Sequence, residues 1–221
     1  MLYRNRQDIR EAIVSNRINF ADSTGVTPLM WVCINHENNF VDRLLDLQAY
    51  VDTRDNDGNT ALMHACYSEN IYAVRRLIEN GANVNIQNGN GDTPLICASE
   101  KGNIDIVKSL IENDADVNIQ NGNGDTPLIC ASEEGNIDIV KSLIENGANV
   151  NIQNESGDTA LMYASAKGNN SIVNLLIRED ADVDIINFRG NTAMDCANLR
   201  GSKEVINLMK EQTDKSPEII R

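Results

Sequence analysis

Residues 88–100, Asn-Gly-Asn-Gly-Asp-Thr-Pro-Leu-Ile-Cys-Ala-Ser-Glu, return unchanged at 121–133. From Gly91 to Asn113 and from Gly124 to Asn146, the two copies differ only at Lys101 against Glu134. A period of 33 residues restricts the chain to architectures that grow by adding like units, each burying its apolar face on a neighbour. Length then counts units rather than cores. The frame holds on both sides of the central pair: Gly25, Gly58, Gly91, Gly124, Gly157 and Gly190 lie 33 apart, and a threonine follows two residues after each.

Each unit has the punctuation of two short helices. In Thr93-Pro94-Leu95 and its counterparts the threonine hydroxyl is suited to accept from an orphan amide of the first turn, and proline at the first helical position gives up an amide with no partner there. Gly102, Gly135 and Gly168 stop the first helix by entering the left-handed region. Asn103 and Asn136 are expected to cap a second helix, whose apolar stripe is Ile104, Val107, Leu110 and Ile111, with Lys108, Ser109 and Glu112 outside. Gly81 and Gly147 end that helix, and Asp114 and Asp180 stand at the same place at some steric cost. Asn-Gly steps then turn the chain, hairpin-like, into the next unit.

This pattern predicts one all-α solenoid of helix-turn-helix units. Residues 1–21 form a partial N-terminal unit, with a helix over Asp8 to Val14 decorated by Arg4, Arg6, Arg10 and Arg17. Repeats follow at 22–54, 55–87, 88–120, 121–153 and 154–186, with a capping repeat at 187–212 and a tail at 213–221. Lys203 and Lys210 replace the apolar residues of Ile104 and Ile111 in the capping repeat, as suits a face with no further neighbour. Polar ends argue against end-to-end stacking, so a monomer is expected.

Composition excludes several functions. The formal charge is −14, and residues 87–153 alone hold eleven Asp/Glu against three Lys. Nucleic-acid binders have the opposite sign. Such a field repels phosphate and anionic lipid and attracts a basic protein. No apolar run approaches a membrane span, and the first residues lack the apolar core of a signal peptide. The five cysteines, Cys33, Cys66, Cys97, Cys130 and Cys196, show no CxxC or Cys/His spacing; they read as reduced thiols of a cytoplasmic protein. Neither a metal nor a cofactor is expected, and no catalytic motif is present. The only histidines are His36 and His64, and neither has metal-ligand spacing.

Gly-x-Thr-Pro-Leu, an alanine three residues later (Ala65, Ala98, Ala131, Ala164, Ala197), a mid-unit glycine and Gly-Ala-Asn-Val-Asn at 81–85 and 147–151 resemble the ankyrin repeat family across residues 22–212. The resemblance implies an L-shaped helix-turn-helix stack, a concave groove built from loop tips and first helices, and a non-catalytic role in binding other proteins. One departure is plain. Where the family motif continues with histidine, this chain has Met30, Met63, Ile96, Ile129, Met162 and Asp195, so apolar packing is expected there. The family's contact columns fall here on Val26, Asn59, Asp92, Asp125, Asp158 and Asn191; on Trp31, His64, Cys97, Cys130, Tyr163 and Cys196; and on the pairs ending each first helix. From these the expected partner-binding residues are Trp31, His64, Tyr67, Asp92, Glu100, Lys101, Asp125, Glu133, Glu134, Asp158, Tyr163 and Lys167. Their acidic centre favours a protein partner with a basic surface. Either a general interaction scaffold or a dedicated inhibitor of a basic protein fits.

Overall fold

A computed structural model describes residues 5–200 and 203–213 of the chain, and those residues form thirteen helices, stacked in pairs, and no strand. The Arg200 side chain and the tail from 214 onward, with Pro217, Ile219 and Ile220, lie outside the described residues, as does Arg4. The chain falls into two compact units, Met1–Asp116 and Val117–Arg221. Among the described residues no helix is long and apolar enough to cross a membrane.

The first unit contains α1 (Arg6–Val14), α2 (Pro28–Ile34), α3 (Asn38–Asp46), α4 (Ala61–Tyr67), α5 (Ile71–Glu79), α6 (Pro94–Lys101) and α7 (Ile104–Ile111). First helices pack on first helices, α2 on α4 and α4 on α6, while second helices pack α3 on α5 and α5 on α7. The second unit repeats the scheme with α8 (Pro127–Glu134), α9 (Ile137–Glu145), α10 (Ala160–Lys167), α11 (Asn170–Arg178), α12 (Ala193–Arg200) and α13 (Lys203–Thr213). There α8 packs on α10, α10 on α12, α9 on α11 and α11 on α13.

The expected punctuation is present. Thr27, Thr60, Thr93, Thr126 and Thr159 each accept from the amide three residues on, so every one of these helices starts on the same cap. Gly102, Gly135 and Gly168 end first helices at φ between 75° and 82°. In the two earliest repeats His36 (φ 56°) and Glu69 (φ 58°) make the same turn without glycine. Apolar residues replace the family histidine as expected: Met30, Met63, Ile96, Ile129 and Met162 are all buried. Asp195 is exposed instead, and its carboxylate accepts from the Thr192 amide and hydroxyl while Thr192 accepts from the Asp195 amide. That exchange closes a capping pair at the helix start and holds the Asp195 carboxyl below its usual range, chiefly through the Thr192 amide.

Two details differ from the sequence expectation. The buried arc of the second helix is Ile106, Val107, Ser109 and Leu110 in α7, with Ile104 and Ile111 half-buried, so Ser109 lies inside rather than outside. Ser142 in α9 is buried likewise. A second helix of a stack meets a sequential first helix and a second helix beside it, which widens its buried face beyond one stripe. Asn136, in turn, makes no side-chain cap, although Asn103 accepts from the Ile106 amide at 3.2 Å.

Polar side chains join successive repeats. Asn85 accepts from the Asp116 amide and donates to the Asp114 carbonyl. Asn151 does the same with Asp182 and Asp180. Asn19 accepts from the Tyr50 amide, which puts residues 18–20 in the register of 84–86. At the loop tips, single backbone bonds link neighbours, Gly89 to Asp57 in the first unit and Glu155 to Asn123 in the second.

Candidate interaction face

The tip loops are built on one side chain per repeat. Asn88 Oδ1 accepts from the amides of Asn90 and Asp92, and Asn154 and Asn187 repeat the arrangement two and four residues on. Asp22 and Asp55 take this place in the first two repeats. The amide nitrogen of each asparagine then reaches back to the preceding repeat: Asn88 to Asn59 at 2.8 Å, Asn154 to Asp125 at 2.7 Å and Asn187 to Asp158 at 2.6 Å. Three of the residues read as contact positions therefore also build the scaffold. Asp125 and Asp158 stay half-buried, each accepting through Oδ1, whereas Asp92 is buried at 6% exposure beside Asn88. The ladder was visible in the 33-residue spacing of Asn88, Asn121, Asn154 and Asn187. Asn-Gly there signals a turn, which hides the second task of the asparagine.

In the first unit, Trp31 is buried at 9% exposure and presents little of its ring. His64 Nε2 donates to Asp55 Oδ2 at 2.8 Å, which ties the first turn of its helix to the tip loop. Tyr67 is half-buried beside Cys97, and Lys101 Nζ stands 5.9 Å from its ring centroid. That distance is within cation–π range. Burial pushes the Tyr67 phenol well up, with the charges of Asp92 and Glu100 adding to it. The Cys97 thiol is pushed up to about 12, chiefly by burial. Glu100 and Lys101 are exposed at the helix end. Tyr67 also lines a hollow of about 550 Å³ with Arg54, Asp55, Asn59 and Asn88.

The second unit brings its own set together. Lys167 Nζ pairs with Glu133 Oε1 at 3.3 Å, and Glu134 is exposed beside it. The Tyr163 hydroxyl accepts from Asn154 Nδ2 at 3.2 Å. Burial raises its phenol, helped by Asp125. Tyr163 and Asp158 line a hollow of about 370 Å³ with Met162, Asn187, Arg189, Cys196 and Leu199. Of this wall only Asp158 and Tyr163 were expected partner-binding residues; Leu199, at 83% exposure, and Arg189 are its exposed additions. Leu199 lies in the helix-end column, so the column signal for it existed; Arg189 sits at a loop tip where the other repeats have Thr24, Asp57, Asn90, Asn123 and Ser156 and no repeat but this one has a cation.

Geometrically, each unit presents the ends of first helices beside loop tips as a polar, partly acidic surface with one tyrosine set into it. Models of ankyrin repeats match the sequence: a three-copy model over residues 2–88 and again over 70–154, and a many-copy model over 143–197. A search of curated proteins found no match. Among solved structures, the crystal structure of the ankyrin repeat domain of Bcl-3, described as a unique member of the IkappaB protein family, is similar, with a TM-score of 0.79 and 28% sequence identity. The likeness covers 92% of this chain and 91% of that one.

Proposed function

The chain belongs to the ankyrin repeat family, and from that premise we propose that it binds a protein partner through the loop tips and first-helix ends that each unit presents. Ankyrin repeat proteins are generally protein-binding modules and typically non-catalytic scaffolds. The observation that carries the proposal is the placement of Tyr67 and Tyr163, half-buried yet lining open hollows, beside exposed Glu100, Lys101, Glu134 and Lys167. Rigid aromatics rimmed by charge are what binding hot spots are made of. His64, Asp125, Glu133 and Asp158 supply the surrounding polar surface. Trp31 and Asp92 act through the scaffold, being buried.

The partner favoured is one with a basic surface, because the net charge of −14 steers cations toward the molecule. The same excess supports a second role, an inhibitor that masks a functional site on a basic protein. A reducing compartment such as the cytoplasm suits the free thiols. The test is affinity capture with the wild type, a Glu100→Gln/Glu133→Gln/Glu134→Gln variant and a Tyr67→Ala/Tyr163→Ala variant. One basic protein retained by the wild type and lost by both variants supports the face; retention by both refutes it. An activity assay on that protein, with and without the chain, separates inhibitor from scaffold.

A further inference from the structure

The second helices hold a different feature. α3 packs against α5 and α5 against α7, whereas α1 and α3 form no comparable seam. Between them lies a groove of about 540 Å³. Its apolar part is Ile13, Val14 and Phe40, and its charged part is Arg6, Arg10 and Arg43 against one acid, Glu37. The lining is thus net positive on a chain of charge −14.

Val14 is the groove's most exposed apolar residue. α3 ends on Asp46, α5 on Glu79, α9 on Glu145 and α11 on Arg178, all charged, while α7 ends on Ile111, which is half-buried. α1 ends on Val14, which is 85% exposed. Arg6 Nε donates to Glu37 Oε1 at 2.6 Å, which spans the groove at one end and neutralises the only acid in it. Arg10 on one wall and Arg43 on the other are exposed.

We propose that the groove between α1 and α3 is a second docking site, taking a short acidic segment of a partner protein that carries an aliphatic side chain beside its carboxylates. Two guanidiniums from opposite walls match carboxylates in fork geometry, and Val14, Ile13 and Phe40 receive the aliphatic group. Charge complementarity selects the occupant. At physiological salt, fields decay over about 8 Å, so a short acidic segment inside the groove meets the arginines. A long polyanion would extend over the acidic remainder of the molecule. The site uses second helices, so its fate is independent of the tip-and-first-helix face.

The probe is a fluorescein-labelled peptide, Leu-Glu-Glu-Leu-Glu-Glu, followed by anisotropy against the full chain, with hexaglutamate and inorganic phosphate as competitors. The wild type is expected to bind it, and Arg10→Ala/Arg43→Ala to weaken binding about tenfold or more. Val14→Asp is expected to weaken it several-fold, and hexaglutamate to compete less well than unlabelled probe. Thermal unfolding of each variant should match the wild type, because these side chains are exposed; the single variants Arg10→Ala and Arg43→Ala serve if the double variant fails to fold. Undiminished binding by the arginine variants overturns the proposal, as does equal competition by hexaglutamate or phosphate, which marks a mere anion site. Absence of peptide binding together with arginine-dependent dimers in sedimentation overturns it too, by assigning the groove to a second copy.

Discussion

Asp114 and Asp180 take φ values of 64° and 61° where Gly81 and Gly147 take 83° and 88° in the same turn. An L-residue there strains against its own Cβ, so Asp114→Gly should stabilise the protein by about 0.5–1 kcal/mol, read from the urea midpoint. The glycines give the converse. A Cβ on Gly147 meets nothing within 4 Å, so Gly147→Ala carries only the conformational cost, about 1 kcal/mol. A Cβ on Gly124 comes within 2.6 Å of the Glu155 amide and 2.9 Å of Asn154 Cα, so Gly124→Ala should cost distinctly more and broaden the transition. The turn itself was legible in the sequence; the crowding at Gly124 was not, because it depends on where the next tip lies. The thiols are a second matter at this scale. Burial raises Cys33, Cys66, Cys97 and Cys196 above the ordinary 9.0, which keeps them protonated at neutral pH. Iodoacetamide at neutral pH should leave the buried Cys33, Cys66 and Cys97 unmodified in the native chain, should reach the half-buried Cys196, and should label all four in denaturant. A folded pKa raised above the unfolded one means the native state holds the proton longer. The stability tied to Cys97 is full below its unfolded value of 9.0 and lost as pH rises toward about 12, so the urea midpoint should fall across that window.

At the scale of single helices, the near-identical central repeats are natural controls for one another. Asn103 caps α7 through the Ile106 amide and also donates to Glu69, while Asn136 makes no cap on the same sequence. Asn103→Ala should destabilise by about 1 kcal/mol and Asn136→Ala by only a few tenths, both by denaturant unfolding. Equal losses would mean that the two caps are equivalent in solution. Helix starts and stops were legible because capping is local: Thr93, Pro94 and Gly102 lie within ten residues and act within one turn. The outer edge of the buried arc was less so. Ser109 and Ser142 are polar, and their burial follows from the helix packed alongside, which a heptad-like count along one helix does not contain. The same reason hid Trp31. An aromatic in a contact column reads as an anchor until the neighbouring helix α4 is seen packed against α2, with Trp31 at 9% exposure.

For the whole molecule, charge acts in two directions at once. Repeat architecture was legible, because a period is a global property that survives any local variation. Net charge was legible too, and the proposal of a basic partner rests on it. Which protein is bound was not: on the proposed face, recognition would rest on the shape of hollows such as the one around Tyr163, and shape comes from side chains of separate repeats. The two consequences of a charge of −14 can nonetheless be set against each other. Like charges repel within the folded chain more than in the expanded one, so added salt screens a destabilising term and should raise the urea midpoint. The attraction between the acidic face and a basic partner is screened by the same ions, so its association rate should fall steeply with salt while dissociation changes little. One titration of sodium chloride, followed by unfolding and by stopped-flow association with the captured partner, therefore gives two slopes of opposite sign. An association rate indifferent to salt would remove charge from the recognition and leave it to Tyr67 and Tyr163. A urea midpoint that falls with salt would mean that the ion pairs Arg76–Asp42 and Lys167–Glu133 outweigh the repulsion, and that the acidic surface is kept at no cost to the fold.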